Sequence, residues 1–251
     1  VNKIENKITN KTKAIIAVHI YGNPADIIKI KKISKKYNII LIEDCAQAHG
    51  SEYKKKKTGT FGDISCFSFY PTKNLSTFGD AGMVSTNSSK IYKKIKLLRE
   101  YGWKKKNISF QKGSNKRLDE LHASILSVKL DYLDKFNNKR IFIANKFLKS
   151  IKSKKFILPK LNSLKKHVFH LFVLRVKNNQ RNNFIKYLKK YNIYAGIHYP
   201  LPNHKQIPFK KYSKSKLLIT EKISKEIVSI PNYPLLSPKE INKIIDVINK
   251  F

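Results

Sequence analysis

The chain has 251 residues, 41% of them hydrophobic, enough to bury a core in one large or two small domains. Its 53 Lys and Arg against 16 Asp and Glu give a formal charge of +37 at pH 7; the lysines are spread along every expected helix and loop, and no zinc spacing, aromatic-basic RNA motif or recognition helix stands out, so nonspecific polyanion binding at low salt is expected and a dedicated nucleic-acid partner is not. No apolar run is long enough to span a membrane and the first residues lack a signal-peptide pattern, so a cytoplasmic location is expected, with Cys45 and Cys66 as free thiols.

In chain order, residues 13–20 read as a strand closed by the turn Tyr21-Gly22-Asn23-Pro24, with His19 near its C-terminal end. Asp26 is placed to cap a helix over residues 27–37, where Ile27, Ile30 and Ile33 recur at helical spacing. The apolar run 39–42 then ends in Glu43-Asp44, as a buried parallel strand does when it opens into a polar crevice; strand, helix and strand make a βαβ unit. A basic loop follows, then a strand over 64–69 that Pro71 stops, so that a turn holds Lys73. The turn 79–82 feeds a third strand over 83–86. Ser88 or Ser89 caps a helix over 90–99, and the basic, glycine-punctuated segment 104–116 is a long loop. Helices over 118–133 and on to about 150 lead into a strand over 168–176, a helix over 181–191, a short strand near Ile197, a helix over 214–223, a strand over 227–230 and a last helix over 238–249, with Ser237 as N-cap and Pro238 in its first turn. The expected domains are 1–131, α/β with a mostly parallel sheet, and 132–251, a small α+β domain.

Two strand ends thus carry a carboxylate, Asp44, and an amine, Lys73. Pyridoxal phosphate needs an amine to bond its aldehyde and a carboxylate to keep its pyridine nitrogen protonated. Ser68 is a candidate donor to its phosphate, and Gln47 can reach the oxygen-bearing edge of its ring. Residue types and spacing leave a second reading open, a salt-bridged turn with Ser68 and Gln47 as ordinary loop residues. His19 is open in the same way, between a crevice residue and a packed one. No third ligand is spaced with His167 and His170, so no metal is expected.

The motifs EDCAQAHG and GTFGDISCFSFYPTKNLSTFGDAGMVSTN resemble the core of the DegT/StrS-type family of pyridoxal-phosphate-dependent sugar-nucleotide aminotransferases, which share the aspartate aminotransferase-like fold (fold type I). AIIAVHIYGNPADI before them, and GSNKRLDELHASILSVKLDYLDKFNNKR, GIHYPLPNH and SIPNYPLLSPKEI after them, continue the resemblance in the family's order. It implies Lys73 as the lysine bonded to the cofactor aldehyde, Asp44 as partner of the pyridine nitrogen, Gln47 beside the ring hydroxyl and Ser68 as a phosphate ligand. It further implies that Asn115 reaches the neighbouring subunit's cofactor phosphate, that His19, Arg117, His198 and Tyr199 face substrate, and that the enzyme is a homodimer with shared sites. The implied reaction moves an amino group from an amino acid, glutamate by expectation, to a keto group of a nucleotide-activated deoxysugar. A same-fold dehydratase and an inactive fragment are the alternatives. Because no glycine-rich helix start precedes Asp44 to cradle a phosphate, the expectation is a large-domain remnant that resembles the family from its middle onward, its N-terminal part missing.

Overall fold

A computed structural model describes residues 1–212 and 216–251. The chain forms two compact units, one of residues 1–137 and 162–170, the other of residues 138–161 and 171–251. The division falls at Asn137/Asn138, against the 131/132 boundary expected from sequence, and residues 162–170 return to the first unit.

In the first unit, β1 (Ala14–Val18), α1 (Ile27–Lys36) and β2 (Ile40–Asp44) are followed by the small hairpin β3 (Glu52–Tyr53) and β4 (Lys56–Lys57), then β5 (Ile64–Ser68) and β6 (Gly82–Ser85). The main sheet has the order β1-β2-β5-β6; β1, β2 and β5 are parallel and β6 runs antiparallel to β5. Period-two alternation sorts the side chains. One face buries Ala17, Leu41 and Glu43 against Ile27 and Ile30 of α1, with Tyr53 and Phe61 completing that core. The opposite face carries Ile16, Val18, Ile40 and Val84, all exposed, and ends at Asp44, which pairs in register with Val18 and Cys66. Asp26 precedes α1 but does not cap it; its carboxylate is 2.8 Å from Lys165 Nζ. That is a tertiary ion pair, and local sequence cannot show it.

Beyond β6 come α2 (Ser89–Arg99), with Ser88 Oγ accepting from Ile91 N–H, the ribbon β7 (Trp103–Lys105) and β8 (Ile108–Ser109), α3 (Glu120–Asp131) and α4 (Leu133–Ser150). A second cluster of the first unit joins Phe69, Leu75, Leu126 and Leu133.

After β9 (Phe156–Ile157) and β10 (Lys165–Lys166), which pairs with β3, the second unit is built from β11 (Phe172–Val176), α5 (Arg181–Lys190), α6 (Leu218–Glu226), β12 (Ile227–Ile230) and α7 (Pro238–Lys250). Its antiparallel sheet has the order β12-β11-β9. Phe147, Phe172, Leu174, Phe184 and Ile248 are fully buried in this unit. The strand expected over 168–176 begins only at Phe172, because the preceding segment turns away: Phe169 has φ 45° and its N–H donates to His167 Nδ1. The strand expected near Ile197 is a single bridge between Gly196 and Ser229. Of the helix expected over 214–223, Lys214 and Ser215 lie outside the described residues, and α6 starts at Leu218.

Candidate active site

The C-terminal ends of the parallel strands collect the chemistry of the first unit, as open α/β sheets do. Asp44 is the last residue of β2, and its Oδ1 accepts from Ala46 N–H at 3.0 Å. From the end of β5 the chain loops out at Tyr70 and returns at Thr77, whose N–H meets the Phe69 carbonyl at 2.9 Å. Lys73 sits on that loop, its own N–H bonded to the Tyr70 carbonyl at 2.9 Å. Burial draws its amine below the usual lysine range, and the Asp44 carboxylate pulls in the opposite direction. The two groups are therefore within electrostatic reach, and Lys73 needs less to become a free base than a surface lysine does.

Gln47 is buried, and its Oε1 accepts from Tyr21 N–H at 2.6 Å, which holds the turn after β1. Ser68 closes β5, with Oγ 3.4 Å from Tyr70 N. His19 is fully buried: Nε2 lies 3.0 Å from Glu43 Oε2, and Nδ1 accepts from Ala25 N–H at 3.0 Å. Both ring nitrogens are thus occupied within the core. Asn115 and Arg117 are exposed and bonded to each other, Arg117 N–H and Nε–H donating to Asn115 Oδ1 at 3.4 and 3.2 Å. His198 and Tyr199 belong to the second unit; His198 Nδ1 lies 2.9 Å from Ser229 Oγ, and Tyr199 is exposed.

Three residues near this site were not singled out from sequence. Asn74, next to Lys73, is buried; its Nδ2 donates to Asn137 Oδ1 at 2.8 Å and its Oδ1 lies 3.0 Å from His170 Nδ1. The residue after the lysine is therefore fixed by partners far along the chain. His49 lies against Phe67 and Phe69, ring centroids 5.8 and 5.7 Å away, with neither nitrogen partnered among the described residues. Burial, with Lys73 adding to it, pushes its pKa down to about 4. Glu43 is fully buried and lies below the ordinary carboxylate range: burial raises it, but bonds from His19 and from the N–H groups of Gly59, Gly62 and Phe61 together outweigh that. The motif ED shows two adjacent acids; strand alternation, which puts them on opposite faces, is the one signal that could have separated their roles.

His19, Glu43 and Cys45 bring possible ligand atoms within 4.8 Å of one another. Both His19 nitrogens and both Glu43 oxygens already have partners, and burial first, then Glu43, raises the Cys45 thiol. The donor set is saturated, which is poor chemistry for an ion.

The sequence model of the DegT/DnrJ/EryC1/StrS aminotransferase family matches residues 1–249. The chain belongs to this family. Among its curated relatives is a dTDP-3-amino-3,6-dideoxy-alpha-D-galactopyranose transaminase from Aneurinibacillus thermoaerophilus, 46% identical over 99% of this chain and 68% of the relative. Solved structures of similar fold include DesV of S. venezuelae in complex with a ketimine intermediate (TM-score 0.93, 31% identity, 98% of this chain and 67% of that one). NtdA of Bacillus subtilis, with bound cofactor PMP, aligns at TM-score 0.90 and 29% identity over 98% of this chain and 58% of that one. The chain spans about two thirds of the length of the first two.

These matches correct the expectation of a remnant that resembles the family only from its middle onward. The DegT/DnrJ/EryC1/StrS model is engaged from residue 1, and the aminotransferase fold takes in 98% of the chain. The glycine-rich helix start is one local motif, whereas the fold is carried by the order of strands and turns, so the lack of that motif does not measure how much of the fold is present. The site suits the family's cofactor, pyridoxal phosphate: a desolvated amine, a carboxylate anchored at a neighbouring strand end and a hydroxyl are the donor types it requires. Among the described residues no helix is long and apolar enough to cross a membrane.

Proposed function

We propose that this chain transfers an amino group from an amino acid, glutamate by expectation, to a keto carbon of a nucleotide-activated deoxysugar. The observation that carries the reading is Lys73, a partly buried amine lowered by its surroundings and within the field of Asp44, in a chain of this aminotransferase family. When bound, pyridoxal phosphate supplies an aldehyde and an electron sink. Lys73 would hold the cofactor through that aldehyde, and its amine, when free, would take the donor's α-proton as a base and give it up again as an acid; lowered basicity suits both tasks. Asp44, steadied by Ala46 N–H, would keep a proton on the ring nitrogen. Ser68 would donate to the phosphate, and Gln47, which grips Tyr21, would serve the ring's oxygen-bearing edge.

Asn115 and Arg117, exposed on the segment before α3, suit a reach toward the cofactor phosphate and substrate of a second copy, which makes the enzyme a homodimer with two shared sites. His198 and Tyr199 face the sugar nucleotide, and the enzyme works in the cytoplasm. A same-fold dehydratase, which tends to carry histidine in place of the lysine, is disfavoured by Lys73.

The test uses purified protein with pyridoxal phosphate, glutamate and dTDP-linked 3- and 4-ketosugars. The expected result is 2-oxoglutarate and aminosugar formed in equal amounts, lost in Lys73→Ala. Turnover that survives Lys73→Ala would refute the assignment. Mixing Lys73→Ala with Asn115→Ala protein should restore activity through one intact shared site; no recovery despite subunit exchange would refute the dimer.

A further inference from the structure

Asp44 and Glu43 are neighbours on β2, yet only Asp44 has a part in the reaction above. Glu43 points into the core at 0% exposure, where a carboxylate persists only if its oxygens are bonded. Oε1 accepts from Phe61 N–H at 2.7 Å and Gly62 N–H at 2.6 Å; Oε2 accepts from Gly59 N–H at 2.9 Å and lies 3.0 Å from His19 Nε2. The loop 59–62 is shaped for this task. Gly59 has φ +89°, and a Cβ on Gly62 would come within 2.8 Å of the Leu41 carbonyl and 3.2 Å of Glu43 Cγ, so only glycine lets the two backbones close on the carboxylate.

His19 completes the arrangement. Its Nδ1 accepts from Ala25 N–H, so the ring proton is on Nε2 and points at Glu43. The His19 backbone N–H donates to the Asp44 carbonyl at 3.1 Å, while Cys45 N–H, on the other side of the same peptide, donates to the Cys66 carbonyl at 2.8 Å. Two residues beyond His19, Tyr21 N–H takes Gln47 Oε1. The segment 19–21 therefore grips 43–47 at three points, and two of the residues gripped are those read as cofactor contacts.

We propose that Glu43, with His19 locked as its partner, is a positioning residue that sets the placement of Asp44 and Gln47 by tying together the turn after β1, the end of β2 and the loop that leads into β5. The assignment rests on reading Asp44 and Gln47 as cofactor contacts. Its content is geometric. A glutamine at position 43 would turn an NH2 group toward two donors; His19 could relieve that at Oε2 only by moving its proton to Nδ1, where it would meet Ala25 N–H. The mismatch has no internal remedy, and the strand end must shift.

The experiment has three parts. In 15N-labelled wild-type protein, two-bond correlation spectra should show His19 as the Nε2–H tautomer; an Nδ1–H tautomer overturns the proposal without reference to any cofactor. Next, pyridoxal phosphate affinity is measured by fluorescence quenching for wild type, Glu43→Gln and the core variant Ile30→Val, with Lys73→Ala marking nonspecific adducts. Glu43→Gln should weaken binding about tenfold or more and shift the pH midpoint of the visible band of the loaded protein, because small displacements of a contact group have large effects. Ile30→Val, which trims the same core without touching the network, should leave both unchanged. Equal affinity and an unmoved midpoint in Glu43→Gln overturn the proposal. Should that variant fail to fold, His19→Gln, which keeps a donor toward Glu43 but loses the acceptor for Ala25, is read by the same two measurements and the same criteria. Wild type that binds no cofactor through Lys73 overturns the functional reading itself, and this proposal with it; binding by wild type with no loss in the variants overturns this proposal alone.

Discussion

Replacing Asn74 with alanine tests whether the lysine loop is held from the core. The side chain is 9% exposed and makes two good bonds, Nδ2 to Asn137 Oδ1 at 2.8 Å and Oδ1 with His170 Nδ1 at 3.0 Å, plus a long one from Nδ2 to the Val168 carbonyl at 3.4 Å. Asn137 Nδ2 goes on to the His49 carbonyl at 2.9 Å, so the network binds the lysine loop, α4, the segment after β2 and residues 168–170 into one unit. Truncation at Cβ strips the bonds and strands two buried polar atoms, Asn137 Oδ1 and His170 Nδ1. At roughly 1–3 kcal/mol for each buried group left unsatisfied, the expected loss is about 2–5 kcal/mol after allowing for partial relaxation. A chain of this size loses roughly 2–4 °C in Tm per kcal/mol, so the melting point should fall by about 5–15 °C. Calorimetry supplies the number, and borohydride trapping of pyridoxal phosphate on Lys73 should slow in parallel. Loss of less than about 1 kcal/mol would mean that the atoms freed by the substitution find water or each other, and the claim that Asn74 anchors Lys73 would be refuted.

Two further outcomes are expected. His49 has its folded pKa lowered to about 4 while the unfolded chain titrates near the ordinary histidine value of 6.5, so the unfolded state binds more protons between those values; stability present above about pH 6.5 is lost as pH falls toward about 4, at up to about 1.4 kcal/mol per pH unit. Buried His167, lowered to about 3, adds in the same direction. In His49→Leu, urea midpoints compared at pH 5 and pH 7.5 should differ less than in wild type; an unchanged difference would sink the account. At the start of α7, Ser237 Oγ accepts from Glu240 N–H at 3.2 Å and Glu240 Oε2 accepts from Ser237 N–H at 2.8 Å, a reciprocal cap. Ser237→Ala should cost about 1 kcal/mol, read as a shift in urea midpoint with unchanged slope, and no shift would show that solvent replaces the cap.

Where local chemistry decides, sequence was a good guide. Ser237-Pro238 marked the first turn of α7, Ser88 marked α2, and the apolar run before Glu43-Asp44 marked β2. The order of strand, helix and strand through Asp44, and the turn that holds Lys73, follow from hydrophobic periodicity and Pro71. What sequence did not reveal depends on partners distant along the chain. Asp26 has the composition of a cap but finds Lys165 instead. Residues 168–171 are apolar enough for a strand, yet Val168 N–H is taken by the Gly22 carbonyl, far back along the chain, and β11 starts late. Glu43 and Asn74 earned no attention because a buried polar residue shows its purpose only when the donors around it are in place.

The apolar face of the main sheet has a consequence for how the protein behaves as a colloid. Ile16 is 64% exposed, with Val18, Ile40 and Val84 beside it at 44–48%, on a molecule of formal charge +37. Like charges keep molecules apart over the Debye length, about 30 Å at 0.01 M ionic strength but only about 8 Å at 0.15 M. Salt removes that repulsion and leaves the attraction between apolar faces untouched, so light scattering should rise with added sodium chloride. The usual remedy for a sticky basic protein, more salt, would work against this one, and small amounts of a mild detergent or a low-salt buffer would keep it dispersed.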